Sequence, residues 1–197
     1  MIKRYNEKEI GKLVEILKND GVISVPTDTV FGICGRLTKK AKEKLIKIKE
    51  RPLSKSFPIM CYDINQIKSI AVVGEKEERI INEFMPGPIT IILKKKKEIE
   101  DFITNGKETI AIRMAPNKTI REITKKVGPI FMTSANKSGE TECKTLDEIE
   151  KSCKMLDGMV EGKVIFSESS TIVDLTKDNI EILREGPITL GDIIKNK

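Results

Sequence analysis

Apolar residues recur at Ile10, Leu13, Val14 and Leu17, the three- and four-residue spacing of one helix face. With Asn6 and Glu9 as a capping box, this predicts a helix over 7–19 that ends at Asp20-Gly21. Val22 to Val25 is a short apolar run, read as a buried strand, and Pro26 stops it before Thr27-Asp28-Thr29 turns the chain. Ala41, Leu45 and Ile48 share one side of a helix over 39–49. Pro52 ends it, because the residue before a proline avoids helical backbone. Pro58 to Cys61 reads as a strand, and a charged helix over 75–84 is stopped by Pro86-Gly87-Pro88. Ile89 to Leu93 and Thr109 to Arg113 read as strands, joined by a polar connection carrying Lys94-Lys95-Lys96-Lys97. Asn117 caps a helix through Lys126, and Ile130 to Met132 is a buried strand that delivers Thr133-Ser134-Ala135-Asn136. Thr145 and Glu148 form a second capping box, for a helix to Lys154. Three β-rich segments follow, near Val164, over Thr171 to Leu175 and over Ile180 to Leu183, and a short helix closes the chain. Strands and helices do not alternate strictly, and no repeat or linker divides the sequence. The pattern predicts one α/β (α+β) domain over 1–197 with a mixed sheet.

Composition narrows the class. A chain of 197 residues, 39% hydrophobic and 34% charged, is long enough for a real core. No apolar run approaches the ~20 residues of a membrane span, and the N-terminus lacks the apolar centre of a signal peptide. A cytoplasmic protein without a membrane partner is expected. Lys and Arg total 36 against 30 Asp and Glu, a net charge of +6 that favours anionic partners, nucleotide or RNA, without choosing between them. Histidine is absent, which excludes Ser-His-Asp and Cys-His nucleophile systems and every His-based metal site. Proton transfer has to use a carboxylate, Lys, Tyr, Cys, the substrate or water. Cys34, Cys61, Cys143 and Cys153 form no C-x-x-C pair and read as small hydrophobes.

Several segments carry candidate chemistry. Lys49, Arg51 and Lys55 place three cations around Pro52 at a helix end, suited to phosphate oxygens or to a solvated basic face. At an exposed helix end, alanine at Lys49 or Arg51 is expected to remove activity and spare the fold. Pro26 to Gly32 sets two threonines and Asp28 after a strand. Thr109, Ala111 and Arg113 share a strand face, and an arginine ending an apolar strand suits a carboxylate ligand or a structural ion pair equally. Thr133 to Gly139 has the small residues of an anion-binding loop, although G-x-x-x-x-G-K-[ST] occurs nowhere. Ser169-Ser170-Thr171 and Ile182 to Gly186 complete the set.

In this order and spacing the segments resemble the YrdC-like family, the threonylcarbamoyl-AMP synthases. The matching pieces are Pro26 to Gly32, Lys49-x-Arg51 with Pro52 and Lys55, Pro86 to Thr90, Ala111-Ile112-Arg113, Thr133 to Asn136 with Ser138-Gly139, Ser170-Thr171 with Asp174, and Leu183-Arg184 with Gly186. The resemblance implies a twisted mixed sheet with flanking helices and a basic concave surface. It implies that L-threonine, bicarbonate and ATP, accompanied by Mg²⁺, yield threonylcarbamoyl-AMP and pyrophosphate. A partner transferase complex then modifies tRNA, giving t6A. By resemblance Lys49, Arg51, Ser134 and Asn136 are catalytic. Arg51, Lys55, Thr109, Asn136, Lys144 and Arg184 contact ATP, and Thr29, Met60, Arg113, Ser134 and Ser170 contact threonine. No dedicated metal site in the protein alone is expected. Met60 and Phe31 depart from the commoner His and Tyr, and Lys144 stands at a variable position. The alternative is a non-catalytic RNA-binding or ribosome-associated protein of the same fold. A carbamoyl-transfer enzyme is disfavoured, because the larger proteins of that kind carry zinc-finger cysteines absent here.

Overall fold

Apolar residues alternate between two faces of one sheet. Ile33, Ile59 and Phe131 enter one core, while Cys34, Met60, Ile130 and Met132 enter the other. A strand covered on both faces reads as a continuous apolar run, and helices have to supply both covers. The computed structural model describes residues 1–166 and 168–194. In chain order it contains β1 (Arg4–Tyr5), α1 (Ile10–Lys18), β2 (Ile23–Val25), β3 (Gly32–Arg36), α2 (Lys39–Lys49) and β4 (Ile59–Met60). There follow α3 (Ile64–Ile70), α4 (Glu75–Phe84), β5 (Ile89–Lys94), α5 (Asp101–Thr104), β6 (Thr109–Arg113) and α6 (Lys118–Val127). Next come β7 (Ile130–Ser134), α7 (Leu146–Ser152), β8 (Gly158–Val160), β9 (Thr171–Asp174), β10 (Glu181–Arg184) and α8 (Leu190–Ile194).

All ten strands join one twisted mixed sheet in the order β1-β8-β2-β3-β7-β4-β6-β5-β9-β10. The pairs β1–β8, β8–β2, β4–β6 and β5–β9 are parallel, and the others are antiparallel. Leu13 and Leu17 of α1 and Ile120 and Ile123 of α6 cover the Met60 face. Leu45 and Ile48 of α2, Ile67 of α3 and Ile81 of α4 cover the Phe131 face.

The helices predicted over 39–49, 75–84 and from Asn117 stand where expected, and Thr38, which the prediction had not used, caps α2 by accepting from Ala41 N–H. Both predicted capping boxes close asymmetrically. Glu9 accepts from Asn6 N–H, but Asn6 Oδ1 takes Lys8 N–H, so α1 starts later, at Ile10. Thr145 Oγ1 accepts from Glu148 N–H, while the Glu148 carboxylate takes Lys144 N–H.

Five elements escaped the pattern: β1, β3, α3, α5 and β8. The longest strand among them is β3, whose Gly-Ile-Cys-Gly-Arg sequence has poor strand propensity yet pairs with β2 and β7 on its two sides. Its Gly32 is required by close approach, since a Cβ there would lie 2.4 Å from Met132 Sδ. Val164 is not in a strand; its own side chain packs half-buried against the core while Lys163, Ile165 and Phe166 are exposed, and the nearby strand is the earlier β8.

Candidate active site

One register row builds the floor of a cleft. Ile130 of β7 lies beside Met60 of β4, and Met60 beside Arg113 of β6. Thr90, one step past the Ile91–Ile112 pair, continues the row to Ile172 of β9 and then Arg184 of β10. Because side chains alternate along a strand, residues aligned in this way share one face. The resulting cleft of about 240 Å³ is lined by Thr29, Arg51, Met60, Arg113, Ser134, Ser170 and Arg184 among others.

Lys49 ends α2 and is only 2% exposed, which corrects the reading of an exposed helix end. Glu50 follows in the left-handed conformation (φ 49°) and turns the chain away from the helix. Lys49 Nζ donates to Asn136 Oδ1 at 2.6 Å and to Ser134 O at 2.8 Å. Its third N–H has Ser134 Oγ as a distant neighbour at 3.5 Å. Ser134 Oγ in turn donates to Asn136 Oδ1 at 2.7 Å, and Asn136 Nδ2 donates to Glu140 O at 2.6 Å. Burial, followed by the nearby Arg51 charge, pulls the Lys49 amine down to about 8.

Arg51 holds its own loop, donating from Nε to Lys55 O and from Nη2 to Ser56 O, with its guanidinium 4.7 Å from the centre of the Phe57 ring. Burial lowers its pKa. Arg113 is more committed. Nε donates to Gly87 O at 3.0 Å, Nη1 to Thr29 Oγ1 at 2.8 Å and Nη2 to Asp28 Oδ1 at 2.5 Å. Asp28 is 2% exposed and its Oδ2 has no partner among the described residues. The structural ion pair and the cleft-lining arginine are thus the same residue. Burial lowers the Arg113 pKa and Asp28 opposes that shift. Arg184 donates twice to Ser170 O, at 2.7 and 3.0 Å, and Ser170 Oγ lies 2.8 Å from Thr90 Oγ1.

Nine of the twelve residues singled out in the sequence therefore gather: Thr29, Lys49, Arg51, Met60, Arg113, Ser134, Asn136, Ser170 and Arg184. Three do not. Lys55 and Lys144 have exposed side chains outside the cleft lining. Thr109 sits at the opposite end of β6, opposite Lys94, in a separate depression lined by Lys94 to Lys97. Thr27, Asp28 and Thr90 stood inside segments singled out in the sequence but were given no role, and Glu142 was missed. Asp28 left one signal, a lone acid between two threonines after a buried strand, but its partner lies 85 positions away. Among the described residues no cluster of three or more Cys, Asp or Glu side chains can hold a metal ion, and no helix is long and apolar enough to cross a membrane.

The family model of Sua5, YciO and YrdC proteins, described as telomere recombination, matches residues 15–186. A Methanocaldococcus jannaschii protein with the provisional name threonylcarbamoyl-AMP synthase is 39% identical over 204 residues, covering 99% of this chain and 97% of its own. The crystal structure of P. abyssi Sua5 complexed with L-threonine is 25% identical and superposes with a TM-score of 0.91 over the whole of this chain, which spans 60% of that protein. E. coli YciO, also 25% identical, superposes at 0.89 over 98% of this chain and 100% of its own.

Proposed function

The chain belongs to the Sua5/YciO/YrdC family, and from that premise we propose that it is an L-threonylcarbamoyladenylate synthase, a nucleotidyltransferase that joins L-threonine, bicarbonate and ATP. The observation that carries this reading is the Lys49 amine, fastened by Asn136 and Ser134 O beside a cleft that also holds Arg51, Arg113 and Arg184. Two of its N–H groups make short hydrogen bonds, and the third, held only by the long 3.5 Å contact to Ser134 Oγ, is the one that turns to a phosphate oxygen.

Threonine belongs at the Arg113 end. Arg113 spends three of its five N–H groups on Gly87, Thr29 and Asp28, leaving two for a carboxylate. Asp28 holds the guanidinium in place and offsets its charge. Thr29 Oγ1, which accepts from Arg113, and Ser170 Oγ, which pairs with Thr90, each keep acceptor capacity for the threonine hydroxyl, and Met60 adds an apolar wall. The threonine amine attacks the carbon of bicarbonate, and water leaves as the carbamate forms. A carbamate oxygen then attacks the α-phosphorus of ATP and pyrophosphate departs. Lys49, Arg51 and Arg184 stabilise the charge that collects on the leaving pyrophosphate. Positioning of three substrates in one cleft supplies much of the rate, and Ser134 and Asn136 act by holding Lys49 on target. Mg²⁺ comes with the phosphates of ATP as part of the substrate. Lys55 and Lys144 reach the nucleotide only if their loops close over it, and Thr109 is too far along β6 to do so. The product then goes to a transferase complex acting on tRNA in the cytoplasm.

The experiment is pyrophosphate release by the purified chain with ATP, Mg²⁺ and bicarbonate. Release that depends on both threonine and bicarbonate, and that L-serine at equal concentration does not support, is the expected result. A second reading is a non-catalytic RNA-binding or ribosome-associated protein of the same fold, to which the net charge of +6 lends weak support. Absence of release from a folded sample that binds RNA salt-dependently would select it.

A further inference from the structure

Glu142 takes no part in the reaction described above, yet its carboxylate is fastened to Ser169, a residue of the cleft wall. Its Oε1 accepts a hydrogen bond of 2.9 Å from Ser169 Oγ. Glu142 stands in the loop leaving β7, and Ser169 in the stretch entering β9. Those strands are four places apart in the sheet, roughly 19 Å. The bond is therefore a clasp between the two walls of the cleft, one carrying Ser134 and the other Ser169 and Ser170. The same carboxylate acts on both Lys49 and Arg184, favouring the charged form of each against the burial that lowers both. Neither cation has a contact ion pair among the described residues, whereas Arg113 has Asp28.

An anion whose field favours the charge of two cations proposed to serve phosphate is opposed by the phosphates when they arrive. We propose that Glu142 contends with the β- and γ-phosphates of the nucleotide for Lys49 and Arg184, and that nucleotide binding opens the Glu142–Ser169 clasp. The identity of the anion as ATP rests on the synthase reading. Little else has to move. The backbone on either side of Glu142 is held by Cys143 N–H donating to Ala135 O at 3.1 Å and by Glu140 O accepting from Asn136. Rotation of one half-buried side chain is enough to release the clasp. A ligand with a single phosphate does not enter this contention, so Glu142 weakens the hold on polyphosphate alone.

Calorimetric titration of ATP with Mg²⁺, of pyrophosphate and of AMP tests this in the whole chain and in three variants. Glu142→Gln keeps an acceptor for Ser169 and removes the charge, Glu142→Ala removes both, and Ser169→Ala removes only the clasp. ATP and pyrophosphate are expected to bind about threefold or more tightly in the two Glu142 variants, the scale of a partly exposed charge interaction. Ser169→Ala gives a smaller gain in the same direction, and AMP is unaffected. Unchanged or weaker pyrophosphate binding in Glu142→Gln overturns the proposal, weaker binding meaning that Glu142 supports the anion instead of opposing it. Melting curves identify a variant that has failed to fold, and the near-isosteric Gln form then decides. A wild-type chain that binds pyrophosphate but not ATP sinks the synthase reading while leaving the proposal to be judged on pyrophosphate. A wild-type chain that binds neither sinks both.

Discussion

The two ends of β6 lie roughly 13 Å apart and carry opposite lessons about positive charge. At one end Arg113 is buried, with its guanidinium shared among Asp28, Thr29 and Gly87. At the other, Thr109 faces Lys94 and the run Lys94 to Lys97, the densest basic stretch in the sequence. Lys95 in that run spends its amine on Asp101 and Ile99 O, while Lys94 and Lys97 are exposed. Density of charge marks the solvated end. The chemical end is marked by several partnered cations gathered around one cleft, whereas Lys95 is the one buried lysine of its run; burial has to be offset contact by contact at either end.

The largest expected effect that tests this contrast is at Lys49. Lys49→Ala should lower turnover by about 10²–10³-fold, as for other groups that stabilise charge in a transition state. It should also cost about 1–3 kcal/mol of stability, because Asn136 Oδ1 and Ser134 O lose a buried donor. Activity within a few fold of wild type would remove Lys49 from the machinery. Arg113→Ala comes next. Stranding Asp28 without its partner should destabilise the fold by about 3–5 kcal/mol in denaturant titrations. If the loss is under 1 kcal/mol, Asp28 and Arg113 are not the coupled pair described above.

A pH profile sharpens the comparison further. Burial lowers the Lys49 amine to about 8 from an ordinary 10.5. With threonine saturating, kcat/KM for ATP should therefore fall above about pH 8, as the free enzyme loses the ammonium. Bound phosphates raise an amine's pKa, so the limb in kcat lies higher. Lys49→Arg should carry the limb out of range, and a limb that stays put belongs to another group. For stability the sign is reversed. Between pH 8 and 10.5 the unfolded chain keeps a proton that the folded one has released, so the Lys49 contribution to stability rises with pH across that window. The smallest effect belongs to the far end: Thr109→Val and Lys97→Ala should leave KM for ATP unchanged and stability within about 0.5 kcal/mol. A clear rise in KM would mean that the second depression serves the nucleotide after all.

Much of this was legible in the chain. Helices α2, α4 and α6 announced themselves by apolar periodicity and stop signals, because those signals are local. Even the burial of Lys49 had a trace. Lys42, Leu45 and Lys49 are spaced three and four apart, so both lysines border the apolar stripe of α2 and both are buried. What could not be read depends on partners distant in sequence. The register row from Ile130 through Met60, Arg113 and Ile172 to Arg184 crosses strands that are not consecutive. The strand β3 is defined by its neighbours rather than by its own residues, and Asp28 is explained only by an arginine on β6. Thr109 shows the complementary error: sharing a strand face with Arg113 was read correctly, but four residues of rise carry it out of the cleft.

Between β8 and β9 the chain passes from one side of the sheet to the other. Ile23 is aligned with Gly158, and Ile89 with Thr171. Contacts of such sequence separation form late, and folds rich in them take milliseconds to seconds to assemble. A ribosome that has made the chain only as far as Val160 has supplied eight strands, Lys49 and Arg113, but neither Ser170 nor Arg184. The far wall of the cleft arrives with the last strands to dock. The wall that carries Ser170 and Arg184 is thus completed in the same step that completes the sheet.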